Sequence, residues 1–108
     1  MRYKKLVRII SRAKIIEFST LHAKAKAALE YWYVVMKKTS FDSFNDLRKT
    51  YPSADKVRLK SGRELTIFNI MGNNFRLICA IHYNSQMVFI REILTHSEYN
   101  KENWKRLN

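Results

Sequence analysis

Glycine, proline and cysteine, the residues that bend, break or bridge a chain, number two, one and one among 108. A lone thiol, Cys79, allows no internal disulfide framework and suits a reducing compartment, so a cytoplasmic location is expected. It lies within an apolar run, which points to a buried and inert side chain. Two glycines are too few for a phosphate-cradling loop. His22, His82 and His96 stand far apart without metal-ligand spacing, so neither a metal nor a cofactor is expected. No apolar run approaches the ~20 residues of a membrane span, and no membrane partner is expected. The basic, then apolar, N-terminal stretch is interrupted by Arg8, Arg12 and Lys14, which argues against a signal peptide. Carboxylates are scarce as well: 9 Asp and Glu stand against 21 Lys and Arg, a formal charge of +12.

What is present is core-forming material. Hydrophobic residues make up 46% of the chain and aromatics 13%, which excludes a disordered basic tail. The length suits a single domain, 1–108. So large a charge on so small a domain points to an anionic partner, with nucleic acid foremost. Lys4, Lys5, Lys14, Lys24 and Lys26 are most simply solvated charges; together they can dock on RNA phosphates.

Periodicity divides the chain into helices followed by strands. Leu6 to Ser11 is β-branched enough for a strand. A helix is expected from about Ser11 to His22, with Ile15, Ile16, Phe18 and Leu21 as its apolar positions. A second follows from Ala23 to Lys38, where Ala25, Leu29, Trp32, Val35 and Met36 share a stripe. Ser43 can cap a short helix, Phe44 to Tyr51, ended by Pro52. Lys56 to Leu59 reads as an edge strand, and Lys60 to Arg63 as a turn. Then come a strand from Glu64 to Met71, a turn at Gly72-Asn73-Asn74 and a strand from Phe75 to Tyr83. The last is apolar at nearly every position, as a central strand is. A glycine-free turn, Asn84-Ser85-Gln86, leads into a final strand, and the polar tail from Ser97 can form a last short helix. Helices followed by strands predict an α+β fold, with the N-terminal strand and helices packed on a mostly antiparallel sheet. The other sheet face is expected to stay partly open.

Two arginines, Arg76 and Arg91, interrupt the apolar strands, and Thr95, His96, Glu98 and Tyr99 gather where the last strand ends. Arginine offers planar, bidentate donors to a phosphate. Histidine moves protons near neutral pH. Tyr99, three residues beyond His96, shares its face in a helix and can donate a hydrogen bond or stack on a base. These groups can hold a phosphate and move protons without a metal. The arginines can instead pair with Glu64 and Glu92, and Glu98 can serve only as a first-turn carboxylate.

The runs FNIMGNNFRL and IHYNSQMVFIREILTHSEYNK resemble the C-terminal half of the HigB family of type II toxins. Phe68, Asn69, Gly72, Asn73, Phe75 and Arg76 fit the family's first signature, Ile90 and Arg91 its second, and Thr95, His96, Glu98, Tyr99 and Lys101 its TH-x-EYDK tail. Asn100 departs from it, standing where the family usually has Asp. The resemblance implies a RelE-like fold and ribosome-dependent cleavage of mRNA. It also implies neutralisation by a HigA-type helix-turn-helix antitoxin, with operator DNA bound only through that partner. Arg76, Arg91, His96 and Tyr99 are the expected catalytic residues, lining one pocket. Lys56, Arg58, Lys60, Arg63, Asn73 and Lys101 are expected to bind RNA. The alternative is a non-catalytic basic RNA- or ribosome-binding module of the same fold.

Overall fold

The most apolar strand sits at the centre of the sheet. In the computed structural model, which describes residues 5–108, the elements in chain order are β1 (Arg8–Ile10), α1 (Ala13–Leu21), α2 (Lys26–Lys37), α3 (Phe44–Thr50), β2 (Asp55–Arg58), β3 (Glu64–Ile70), β4 (Phe75–His82), β5 (Met87–Thr95), α4 (His96–Asn100) and α5 (Asn103–Leu107). Lys4 lies outside the described residues. The sheet order is β1-β5-β4-β3-β2, with β1 parallel to β5 and every other pair antiparallel. This is the α+β arrangement that helices followed by a meander predict.

The N-terminal half packs on one face. Ala25, Leu29, Trp32 and Met36 are buried against Phe68, Ile70, Phe75, Leu77, Cys79, Val88 and Ile90, the inward set of the three long strands. Trp32 meets Phe68 edge-on at 5.3 Å, so it is a core residue. In α1 only Ile15 is buried, and Leu21 is 80% exposed. At about 100° per residue Leu21 falls about 120° round the helix from Ile15, while His22 comes back to that side, stacked on Phe18 and edge-on to Phe75. A single 3-10 turn, Ala23–Ala25, separates the two helices.

Caps and turns follow local chemistry. The Ser43 hydroxyl accepts from Asp46 N–H at the start of α3. Gly62 and Gly72 sit at φ +91° and +65°, where a side chain is disfavoured. The glycine-free turn before β5 closes differently. Gln86 takes φ +54°, and its side-chain amide donates to the carbonyls of Phe41 and Tyr83 while accepting from Phe41 N–H.

The second face is covered over part of its area and open around Ala80, His82 and Phe89. The tail folds back across it as α4 and α5, and Trp104, 3% exposed, packs on Leu59, Leu65, Ile67 and Ile78. Outward-facing leucine and isoleucine on β3 and β4 needed a cover, and that indole, with Tyr99 packed beside it, supplies one. The sheet therefore carries a core on each face, and α4 is pinned at one corner of it.

Candidate active site

A guanidinium is costly to bury, yet Arg76 is only 9% exposed. Alternation along β4 turns it to the second face beside Ile78, opposite Asn69 on β3. One of its terminal nitrogens donates to the carbonyls of Asn73 (2.9 Å) and Phe75 (3.2 Å). Its other terminal nitrogen lies 3.4 Å from Nδ1 of His96. The guanidinium carbon stands 5.3 Å from the centre of the Tyr99 ring, a cation–π contact. Among the described residues the ion pairs involve Arg12, Lys49, Lys56 and Lys105; Arg76 is in none of them. A buried cation held by carbonyls and an aromatic face, with no carboxylate against it, is arranged to receive an anion.

His96 reaches that cation because β5 runs straight into α4. Thr95 and Glu98 form a reciprocal cap: the Thr95 hydroxyl accepts from Glu98 N–H, and the Glu98 carboxylate accepts from Thr95 N–H. Glu98 is thus occupied in starting the helix. The backbone N–H of His96 donates to the Asn74 carbonyl at 3.0 Å, fastening α4 to the β3–β4 turn. Its ring is exposed, and Nε2 lies 3.3 Å from the side-chain amide of Asn100.

Tyr99 follows on the same side of α4 and is half-buried. Its ring stacks on Trp104 at 5.2 Å and 12°, and the Trp104 indole N–H donates to the Tyr99 carbonyl at 3.0 Å. Burial pushes the phenol above its ordinary value, Asp55 adds to this, and Arg76 and Lys105 oppose it. The hydroxyl is therefore a donor at neutral pH, not a base.

Three of the four residues expected in one pocket meet there; Arg91 does not. The β4–β5 ladder pairs Ile78 with Glu92 and Cys79 with Ile90, so Arg91 has no residue opposite it. That bulge re-aims two successive side chains. Arg91 Nε donates to Asn108 Oδ1 at 2.9 Å, and Asn108 Nδ2 donates to Glu92. Arg91 lines a separate cavity of about 440 Å³ with Arg63, His82 and Phe89. It also stands three residues before Leu94, the partner of Arg76, which is roughly 10 Å along the strand.

The residues expected to bind RNA are spread over one edge and two turns. Lys56 pairs with Glu64 at 3.6 Å and lies over Phe44. Arg58 and Lys60 line a basic cavity of about 620 Å³ with Lys105 and Arg106. Asn73 contributes to the corner through its carbonyl, not its side chain. Lys101 is exposed at the end of α4. Two contributors have no sequence signal, Trp104 behind Tyr99 and Asn108 holding Arg91, and Asn100, noted only as a departure from the family's tail, lies on the far side of the imidazole. The four-residue spacing of Asn100 from His96 was the signal for that contact. Among the described residues no group of three or more His, Cys, Asp or Glu is placed to hold a metal ion.

The family model described as HigB toxin, RelE-like toxic component of a toxin-antitoxin system, matches residues 25–102, from the start of the buried helix stripe to the end of α4. An Escherichia coli protein named mRNA interferase HigB is similar at 29% identity over 93 residues, 86% of this chain and 88% of that one. A protein of a second Escherichia coli strain, named mRNA interferase toxin HigB, and the mRNA interferase HigB of Shigella flexneri are each 32% identical over 62 residues, 57% of this chain and 58% of theirs.

Proposed function

The chain belongs to the HigB family of RelE-like toxins, and on that premise we propose that it is a ribosome-dependent, metal-independent mRNA endonuclease. Its activity is held in check by a HigA-type antitoxin, and it reaches operator DNA only through that partner. The observation that carries the chemistry is the buried guanidinium of Arg76 with His96 3.4 Å away and Tyr99 beneath it.

In this reading the scissile phosphate displaces no carboxylate, because none is paired with Arg76. The guanidinium neutralises the charge that grows on the phosphate oxygens as the phosphorus becomes five-coordinate. His96 takes the proton of the 2′-hydroxyl. The 2′-oxygen attacks phosphorus, the 5′-oxygen departs and is protonated, and a 2′,3′-cyclic phosphate and a 5′-hydroxyl result. Tyr99, protonated and half-buried, donates a hydrogen bond to a phosphate oxygen or supports a base. Arg91, tied to Asn108 in a separate cavity, is assigned no chemical step in this reading. Lys56, Arg58, Lys60, Arg63, Asn73 and Lys101 hold the RNA and ribosome through phosphates, which positions without specifying.

Inducible expression with 5′-end mapping of cellular mRNA tests this, wild type beside His96→Ala. The expected result is growth arrest with mapped cuts for the wild type and neither for the variant. Cuts by the purified protein on programmed ribosomes should persist in EDTA. Arrest with intact mRNA would make the protein a ribosome-binding module without nuclease chemistry.

A further inference from the structure

The two ring nitrogens of His96 face different kinds of group. Nδ1 is 3.4 Å from a terminal nitrogen of Arg76, and Nε2 is 3.3 Å from the side-chain amide of Asn100, one helical turn further on. A guanidinium only donates, so Nδ1 must be the acceptor, and a neutral ring then carries its proton on Nε2. An asparagine amide presents either an oxygen or a nitrogen in nearly the same place, and the hydrogen-bond network decides which. The amide nitrogen is the atom placed there; facing an N–H, the amide turns over so that its oxygen accepts.

We propose that Asn100 is a positioning residue that selects the Nε2–H tautomer of His96 and so makes Nδ1 the base for the 2′-hydroxyl. This deepens the nuclease reading and rests on it. The logic is that of an orienting side chain behind a catalytic imidazole: the bond on one nitrogen decides which lone pair is free at the other. Before substrate arrives, Arg76 covers that lone pair. A phosphate drawing the guanidinium toward its oxygens uncovers it beside the reacting hydroxyl. The 2′-O–H bond then breaks as the 2′-O–P bond forms, with the proton passing to Nδ1. The P–5′-O bond breaks, and the imidazolium returns the proton through solvent to the departing 5′-oxygen. Asn100 neither gains nor loses a proton. Its exposed position on α4 means that its loss leaves both cores intact. The resemblance to a tail that usually carries Asp at this place fits as well, since a carboxylate accepts the same bond.

The test is imidazole ¹⁵N NMR of the free toxin in mildly alkaline buffer, beside single-turnover cleavage on programmed ribosomes. The wild type should show His96 mainly as Nε2–H. Asn100→Ala should move it to a mixture, leaving His22 and His82 unchanged, and should lower kcat about tenfold with KM unaltered. Asn100→Asp should keep the tautomer and most of the rate. A wild-type ring already mixed, an unmoved tautomer in Asn100→Ala, or a loss confined to KM would overturn the proposal. A tautomer that responds to Asn100 while the wild type cuts no RNA would sink the nuclease reading and the base role with it, leaving only the hydrogen bond.

Discussion

Arg76 and Arg91 look alike in sequence, each an arginine inside an apolar strand. Their surroundings set them apart. Arg76 is buried against carbonyls, an imidazole and a phenol ring; Arg91 is half-buried and tied to Asn108. Arg76→Ala should lower cleavage by about 10² or more, and Arg76→Lys should rescue little, because an ammonium lacks the planar fork. Arg91→Ala should cost less than about tenfold. Single-turnover rates on programmed ribosomes decide it, and equal losses at the two arginines would mean that both reach the phosphate. Titration supplies a second test. Burial raises the Tyr51, Tyr83 and Tyr99 phenols above 10.0 and the Cys79 thiol above 9.0. Between the ordinary and the raised values the folded chain binds more protons than the unfolded one. The stability is therefore full below the ordinary values and lost as pH climbs through the raised ones. The urea midpoint should be level from about pH 7 to 8.5 and fall above about pH 9. Tyr51→Phe should flatten that fall, and a midpoint that rises with alkali would contradict the burial of these groups.

At the scale of elements, the tail is where strand and helix patterns stop being informative. Ser43, Pro52 and the Thr95–Glu98 pair mark helix boundaries through bonds made within a few residues, so those ends are readable from sequence. That Trp104 belongs to a second core is not, because its partners Leu65, Ile67 and Ile78 lie tens of residues away and a single indole in a polar stretch has no period. Trp104→Ala should cost about 3–5 kcal/mol in urea unfolding, the range for removing a buried aromatic. It should also slow cleavage, since Tyr99 loses the ring it stacks on and the donor that holds its carbonyl. A loss under about 1 kcal/mol would show that the second face tolerates water and that α5 is only loosely seated.

For the molecule as a whole, charge is the dominant property. A formal +12 repels itself when free and is relieved by RNA or by an acidic partner. Binding to RNA should weaken steeply with salt, and replacing Arg58 and Lys60 together by Gln should reduce the slope of log K against log salt by about 2. An unchanged slope would remove the β2–β3 edge from the RNA interface. Family membership and architecture agree with each other here: the match over residues 25–102 covers the buried helix, the meander and α4, the parts that build the corner.

Some of this was determined by the order of residues alone. Apolar period, capping residues and turn formers act over a few positions, so the helices, the central place of Phe75–His82 and the two glycine turns are written locally. The grouping of Arg76 with His96 and Tyr99 is nearly local too, because antiparallel pairing of adjacent strands brings the start of β4 beside the end of β5. Tertiary structure decided the rest. Only a register shift opposite Ile78 and Cys79 leaves Arg91 without a cross-strand partner, only the fold-back of the tail covers part of the second face, and only packing sets a donor at one nitrogen of the imidazole and an amide at the other. Each depends on contacts between distant residues, whose energies no stretch of a few residues contains.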